Sequence, residues 1–236
     1  MKAAQCRHNL KQLITAWQMY PEEYNGRIVP NYHGLVVSGS WASGWLDWTS
    51  SSDNTNVLNL IDARYALLAP YVLGASNLFK CPADDYRSSQ QKAFGWSRRV
   101  RSYSVAMGIG EGNAETGPWN PFYKHVKKTS EFLYPLPAEA AVYVDEHPDS
   151  MNDPGFFSPN QNTWVDVPAT YHDGGAVFAF ADGHTEDHKW RGSLSNGRAT
   201  RVSTVDYVNV AVLAPVADPD IAWMSYHTPR VSSQSY

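Results

Sequence analysis

Apolar and polar positions alternate most regularly at the start of the chain. Cys6, Leu10, Leu13, Ile14, Trp17 and Tyr20 recur at steps of three and four, while Arg7, His8, Lys11, Gln12 and Gln18 fill the opposite side. That period predicts one amphipathic helix over residues 2–20. Pro21 is expected to stop it and Asn25-Gly26 to turn the chain. No Ser, Thr, Asp or Asn caps its start, so residues 1–20 read as the remnant of a longer helix. Residues 31–59 carry no sustained period and are rich in Gly, Ser, Trp and Asn. They predict a long ordered loop anchored by Trp41, Trp45 and Trp48. A second helix is expected over 59–73, interrupted by Pro70, and a strand over 101–106. Residues 108–122 predict loop.

Period two dominates further on. Residues 140–145 (Ala-Ala-Val-Tyr-Val-Asp) read as a central strand, and 176–190 as a hairpin. Asp182-Gly183 between its two arms favours a two-residue type I′ turn. That turn opposes Phe178 to Asp187 and Phe180 to Thr185, and puts Val177 and Ala179 on one face with His188 and Glu186. The C-terminal sheet then spans 140–191, and the tail 232–236 frays. The expected class is α+β: one N-terminal helix laid on a small antiparallel sheet with long irregular loops, as a single domain over 1–236.

Composition narrows the function. A net charge of -4 without a basic run disfavours nucleic acid and anionic membrane as partners. No stretch approaches the ~18 apolar residues that span a bilayer, and no signal peptide is present. Aromatics make up 13% of the chain, enough to raise a glycan- or peptide-binding surface built on Trp and Tyr loops as an alternative function. Cys6 and Cys81 are the only cysteines. They are either two unrelated buried thiols or one long-range disulfide in an oxidising compartment.

Two acidic-histidine groups carry candidate chemistry. In the first, Asp145, Asp149 and Asp153, joined by Asp182, offer carboxylates of the kind that hold Ca²⁺ on loops. In the second, His184, Glu186 and His188 alternate along one strand and could face a transition metal together, which would suit a metal-dependent hydrolase. A solvated hairpin face explains the same alternation without catalysis. No nucleophile elbow, phosphate loop or dinucleotide fingerprint occurs.

Several segments together resemble one family. His172, nine intervening residues and Asp182-Gly183 match the signature of bacterial prepilin-type proteins named for H-X9-DG. Cys6-Arg7-His8-Asn9-Leu10-Lys11-Gln12-Leu13, Phe79-Lys80-Cys81-Pro82-Ala83-Asp84, Val144-Asp145-Glu146-His147-Pro148-Asp149-Ser150, His188-Lys189-Trp190-Arg191 and Asp220-Ile221-Ala222-Trp223 are also similar to it. The resemblance covers residues 3 to about 230. It implies a pilin-like fold and a structural, non-enzymatic subunit of a type II secretion pseudopilus or type IV pilus-like assembly. It further implies other pilin-like subunits as partners and a periplasmic or cell-surface location. An apolar membrane helix upstream of this chain would be the sole membrane contact. Given export, Cys6 and Cys81 are expected to form a disulfide. His172, Asp182 and Gly183 are expected to be architectural, with His172 tying a chain corner and Asp182 capping the turn.

Overall fold

A computed structural model describes residues 2–34, 38–112, 123–195, 197–205 and 212–232. Helix α1 (Lys2–Glu23) buries Cys6, Leu10, Leu13, Ile14, Trp17 and Tyr20, the stripe predicted from the spacing. It does not stop at Pro21 but runs on to Glu23. Pro21 removes the amide hydrogen that would bond the Trp17 carbonyl, and the helix outlasts it by only two residues. The reversal comes at Asn25 and Gly26, both with positive φ.

Strands β1 (Tyr103–Ala106), β2 (Ala141–Asp145), β3 (Gly155–Phe156), β5 (Gly175–Phe180) and β6 (Thr185–Lys189) form one sheet in the order β3-β1-β2-β5-β6. The short strands β4 (Thr163–Trp164) and β7 (Val212–Leu213) pair apart from it. The expected antiparallel sheet is mixed, because β3 joins β1 in parallel. Every residue of β2 and β5 is buried, while β6 forms a half-exposed edge. Continuous apolar runs suit strands covered on both faces. Helix α1 covers one face. Helix α5 (Pro219–Tyr226) covers the other, where Trp223 meets Phe178 with ring centroids 4.8 Å apart.

The α5 start is capped by Asp218, whose carboxylate accepts from the amides of Asp220 and Ile221. The helix expected over 59–73 is two single turns, α2 (Leu58–Ile61) and α3 (Ala69–Val72), with Pro70 in the first turn of the second, where proline is tolerated. A fourth short helix, α4 (Ser89–Ala93), opens with a capping box from Ser88 and Gln91. Within the loop over 31–59, Trp41 and Trp48 are buried and Trp45 is half-buried. They serve as anchors, and Trp41 and Trp48 leave no open aromatic platform for a glycan. Most of the loop over 108–122 (113–122) and of the tail (233–236) lies outside the described residues.

The β5–β6 hairpin differs by one residue from the expected register. Phe178 opposes Glu186 and Val177 opposes Asp187. Phe180 donates its amide to His184, so the connection is Ala181-Asp182-Gly183, with Gly183 alone at positive φ. A type I′ turn would need both central residues there. The shift moves each side chain of β6 to the other face. It carries Asp187 toward α1, where it pairs with Arg7 at 3.0 Å, and this accounts for a carboxylate at a position the two-residue turn would have opposed to Phe178. Lys11 and Gln18 of α1 donate to the carbonyls of Gly183 and Ala181, clamping the hairpin tip to the helix.

At the other end of β5, the chain turns between His172 and Gly175, which exchange backbone hydrogen bonds of 3.2 and 3.1 Å. A Cβ on Gly175 would stand 2.1 Å from the backbone oxygen of His188, and no rotamer relieves that contact. Gly175→Ala is therefore expected to lower stability by about 3 kcal/mol, the upper range for overpacking. Urea unfolding checks this, and an alanine variant as stable as the parent would contradict it.

Candidate functional site

Four chain segments remote in sequence meet where α1 crosses the sheet. Cys6 lies on the buried stripe of α1, and Cys81 follows a single 3₁₀ turn over Ser76–Phe79. Asn9 of α1 holds that turn in place by donating to the carbonyl of Lys80 at 2.9 Å. Asp145 ends β2, and His172 precedes the tight turn into β5. One donor atom from each of these four side chains lies within 4.8 Å of the others.

The contacts are specific. Nε2 of His172 is 3.0 Å from Asp145 Oδ2 and 3.1 Å from Cys81 Sγ. Cys6 Sγ is 3.4 Å from the same Oδ2. A surrounding layer of donors fixes these groups. The Tyr103 hydroxyl donates to Cys6 Sγ at 3.1 Å, the Tyr171 hydroxyl to Asp145 Oδ1 at 2.8 Å, and the Ala83 amide to Cys81 Sγ at 3.4 Å. Both cysteines and Asp145 are wholly buried, and the His172 side chain is 5% exposed. A hollow of about 420 Å³ lined by Lys2, Tyr171 and Lys189 reaches His172 from outside.

Burial pushes the Cys6 thiol well up. Burial would raise Cys81 also, but its hydrogen bonds with Cys6 and His172 outweigh that and bring it down. Asp145 is raised because burial exceeds the help of His172, Tyr171 and Cys6. At His172 burial opposes the charge, yet Asp145 and Cys81 carry the ring up to about 10, so the imidazole keeps the proton of the pair.

Sequence reasoning singled out all four residues but assigned them to different roles. The expected approach of Cys6 to Cys81 is present. The disulfide is not formed: both are free thiols, with their sulfurs within 4.8 Å of each other. The expected Ca²⁺ group does not assemble. Asp145 belongs to the cluster above, and Asp149 accepts from the amides of Ser203 and Thr204. Asp153 accepts from the amides of Gly34 and Gly155, and Asp182 from the amide and ring of His184. Backbone amides have taken the lone pairs that a hard cation needs. Among the described residues, the Cys6 group is the only one with three or more metal-ligating side chains together.

His184 and His188 do share a face, but they are spent on packing. His184 stacks on Phe180 and His188 on Trp223, and burial pushes the His188 ring down to about 4. His172 and Asp182 lie beyond opposite ends of β5, so they share no reacting group. The Asp182 contact to the turn matches its expected capping role. His172 ties its corner by backbone bonds while its ring reaches inward to Cys81 and Asp145. The overlooked signal was an acid, Asp145, closing an otherwise apolar strand: a buried carboxylate requires a partner, and a histidine is one of few.

No protein-family model matches this chain, and no curated protein or solved structure is significantly similar to it. No helix among the described residues is long and apolar enough to cross a membrane.

Proposed function

We propose that this chain is the export-side part of a pilin-like structural subunit, belonging to a type II secretion pseudopilus or a type IV pilus-like assembly. The observation that carries the reading is where the reactive side chains point. His172, Cys81 and Asp145 close on Cys6 of α1, and although the outer hollow reaches His172, the two sulfurs and the Asp145 carboxylate are wholly buried beneath it. A nucleophile or general base must reach a reacting atom at hydrogen-bond distance, and wholly buried sulfurs do not. What these groups do accomplish is to fasten the helix to the sheet. Arg7, Lys11 and Gln18 extend that attachment along α1 to the hairpin tip. A helix held so firmly along its length suits a subunit that transmits load from a packed filament core to an outer domain.

The test is made in the source cell. The reading frame upstream of Met1 should encode an apolar run of ~20 residues, long enough to span a bilayer. The processed product should fractionate with the envelope or with sheared filaments, and engineered cysteines on neighbouring copies should cross-link. An unprocessed product confined to the cytoplasm would overturn the proposal.

A further inference from the structure

We propose that Cys6, Cys81, Asp145 and His172 form a structural zinc site that locks α1 to the sheet. The inference rests on the cluster alone and holds whether or not the chain belongs to a pilus-like assembly.

The first argument is geometric. Zinc takes cysteine sulfur at ~2.3 Å and histidine nitrogen or carboxylate oxygen at ~2.0–2.2 Å in a tetrahedron, so its ligand atoms stand roughly 3.2–3.8 Å apart. Here Asp145 Oδ2 is 3.0 Å from His172 Nε2 and 3.4 Å from Cys6 Sγ, and Cys81 Sγ is 3.1 Å from Nε2. All four atoms fall within 4.8 Å of one another. A small central ion needs only slight rotamer adjustment to meet all of them.

Hydrogen-bond capacity is the second argument. Nε2 carries at most one hydrogen, yet two partners stand at comparable distance from it, Asp145 Oδ2 and Cys81 Sγ. One proton serves one of them well. An ion at the centre serves four ligands at once.

The surrounding donors form the third. Tyr171 occupies Oδ1 of Asp145 and leaves Oδ2 turned inward, which sets up one-oxygen ligation. Tyr103 and the Ala83 amide each donate to a sulfur, the arrangement that stabilises metal-bound thiolates. Two thiolates, an imidazole and one carboxylate select zinc over calcium, which prefers oxygen alone. Four protein ligands in a buried setting leave no open position for a substrate, so the site is structural. A disulfide would use the same two sulfurs. It would not require a buried carboxylate and imidazole aimed at them.

The experiment uses the full chain, purified without chelator, and then a reduced, metal-stripped sample titrated with Zn²⁺ and desalted. The expected result is one zinc ion retained per chain by elemental analysis, with both thiols reactive only after denaturation in chelator. Cobalt in place of zinc should give tetrahedral visible bands and a thiolate charge-transfer band. Cys81→Ser should abolish zinc retention, while His184→Ala, on the hairpin and outside the cluster, should keep it. Should Cys81→Ser fail to fold, the cobalt spectrum of the parent protein still decides. A protein isolated with no free thiol and no zinc holds a disulfide, which overturns the proposal. Two free thiols with no zinc retained after reconstitution overturn it equally.

Discussion

His172→Ala is expected to lower the stability of the chain by about 3–5 kcal/mol, the range for removing one partner of a buried ion pair. In the metal-free chain the substitution leaves Asp145 wholly buried beside two sulfurs, without the cationic ring 3.0 Å away. Tyr171 and Cys6 still touch the carboxylate but supply no positive charge. Asp145→Asn should restore part of the loss when combined with His172→Ala, because it removes the orphaned charge. The two changes then add to less than their sum in a double-mutant cycle. Asp182→Ala is expected to cost only about 1 kcal/mol, since its carboxylate is partly exposed and, among the described residues, bonds to the amide and ring of His184. The two ends of the His-x9-Asp-Gly signature therefore carry unequal weight. Urea midpoints for the four variants check this, and equal losses at His172 and Asp182 would contradict it.

Glu146 governs the second large effect, which is a pH dependence. It follows β2, is wholly buried, and accepts hydroxyl hydrogens from Ser104 and Ser150. Burial pushes it up to about 7, outweighing those two hydroxyls and the nearby Arg101, while Asp153 repels its charge. Burial and the Glu146 charge also raise Asp166 well above the usual carboxylate range. A folded pKa above the unfolded one means that the native state holds a proton the unfolded chain has released. The stabilisation from Glu146 is thus fully present below about pH 4.5 and is lost as pH rises through about 7. The loss amounts to about 3 kcal/mol across that window. Asp84 acts in the opposite sense: Lys80 and Arg99 overcome its burial and hold it low, so its contribution vanishes as pH falls. The difference between parent and Glu146→Gln isolates the first effect. The variant should show a flatter decline between pH 4.5 and 7, with a residual slope from Asp166. Parallel profiles for the two proteins would count against it.

Much of the architecture was legible in local pattern. The three-and-four spacing from Cys6 to Tyr20 defined α1, because residues at those steps share one helix face whatever lies opposite. Apolar runs located β2 and β5, since strands covered on both sides tolerate no polar alternation. The Asp-Gly pair located the hairpin but not its register. A two-residue turn and a three-residue turn both accept Asp182-Gly183, and the choice is seen only in the contacts of Lys11, Gln18 and Arg7 with the folded hairpin. The parallel pairing of β3 with β1 left no local mark either, because it arises after a long excursion of the chain.

The cluster follows the same division. The sequence by itself determined that Cys6 sits on a buried helix face, that Asp145 ends a buried strand, and that His172 precedes a turn. Each of those is fixed by neighbours a few positions away. Only the tertiary structure decided that these three and Cys81 converge within 4.8 Å. Their spacing of tens of residues matches no metal-binding motif, and their approach depends on how α1 crosses the sheet and where two loops close. Local periodicity reports which way a side chain faces. Which side chains it then meets is set by the packing of the whole chain, where loop closure brings distant segments together.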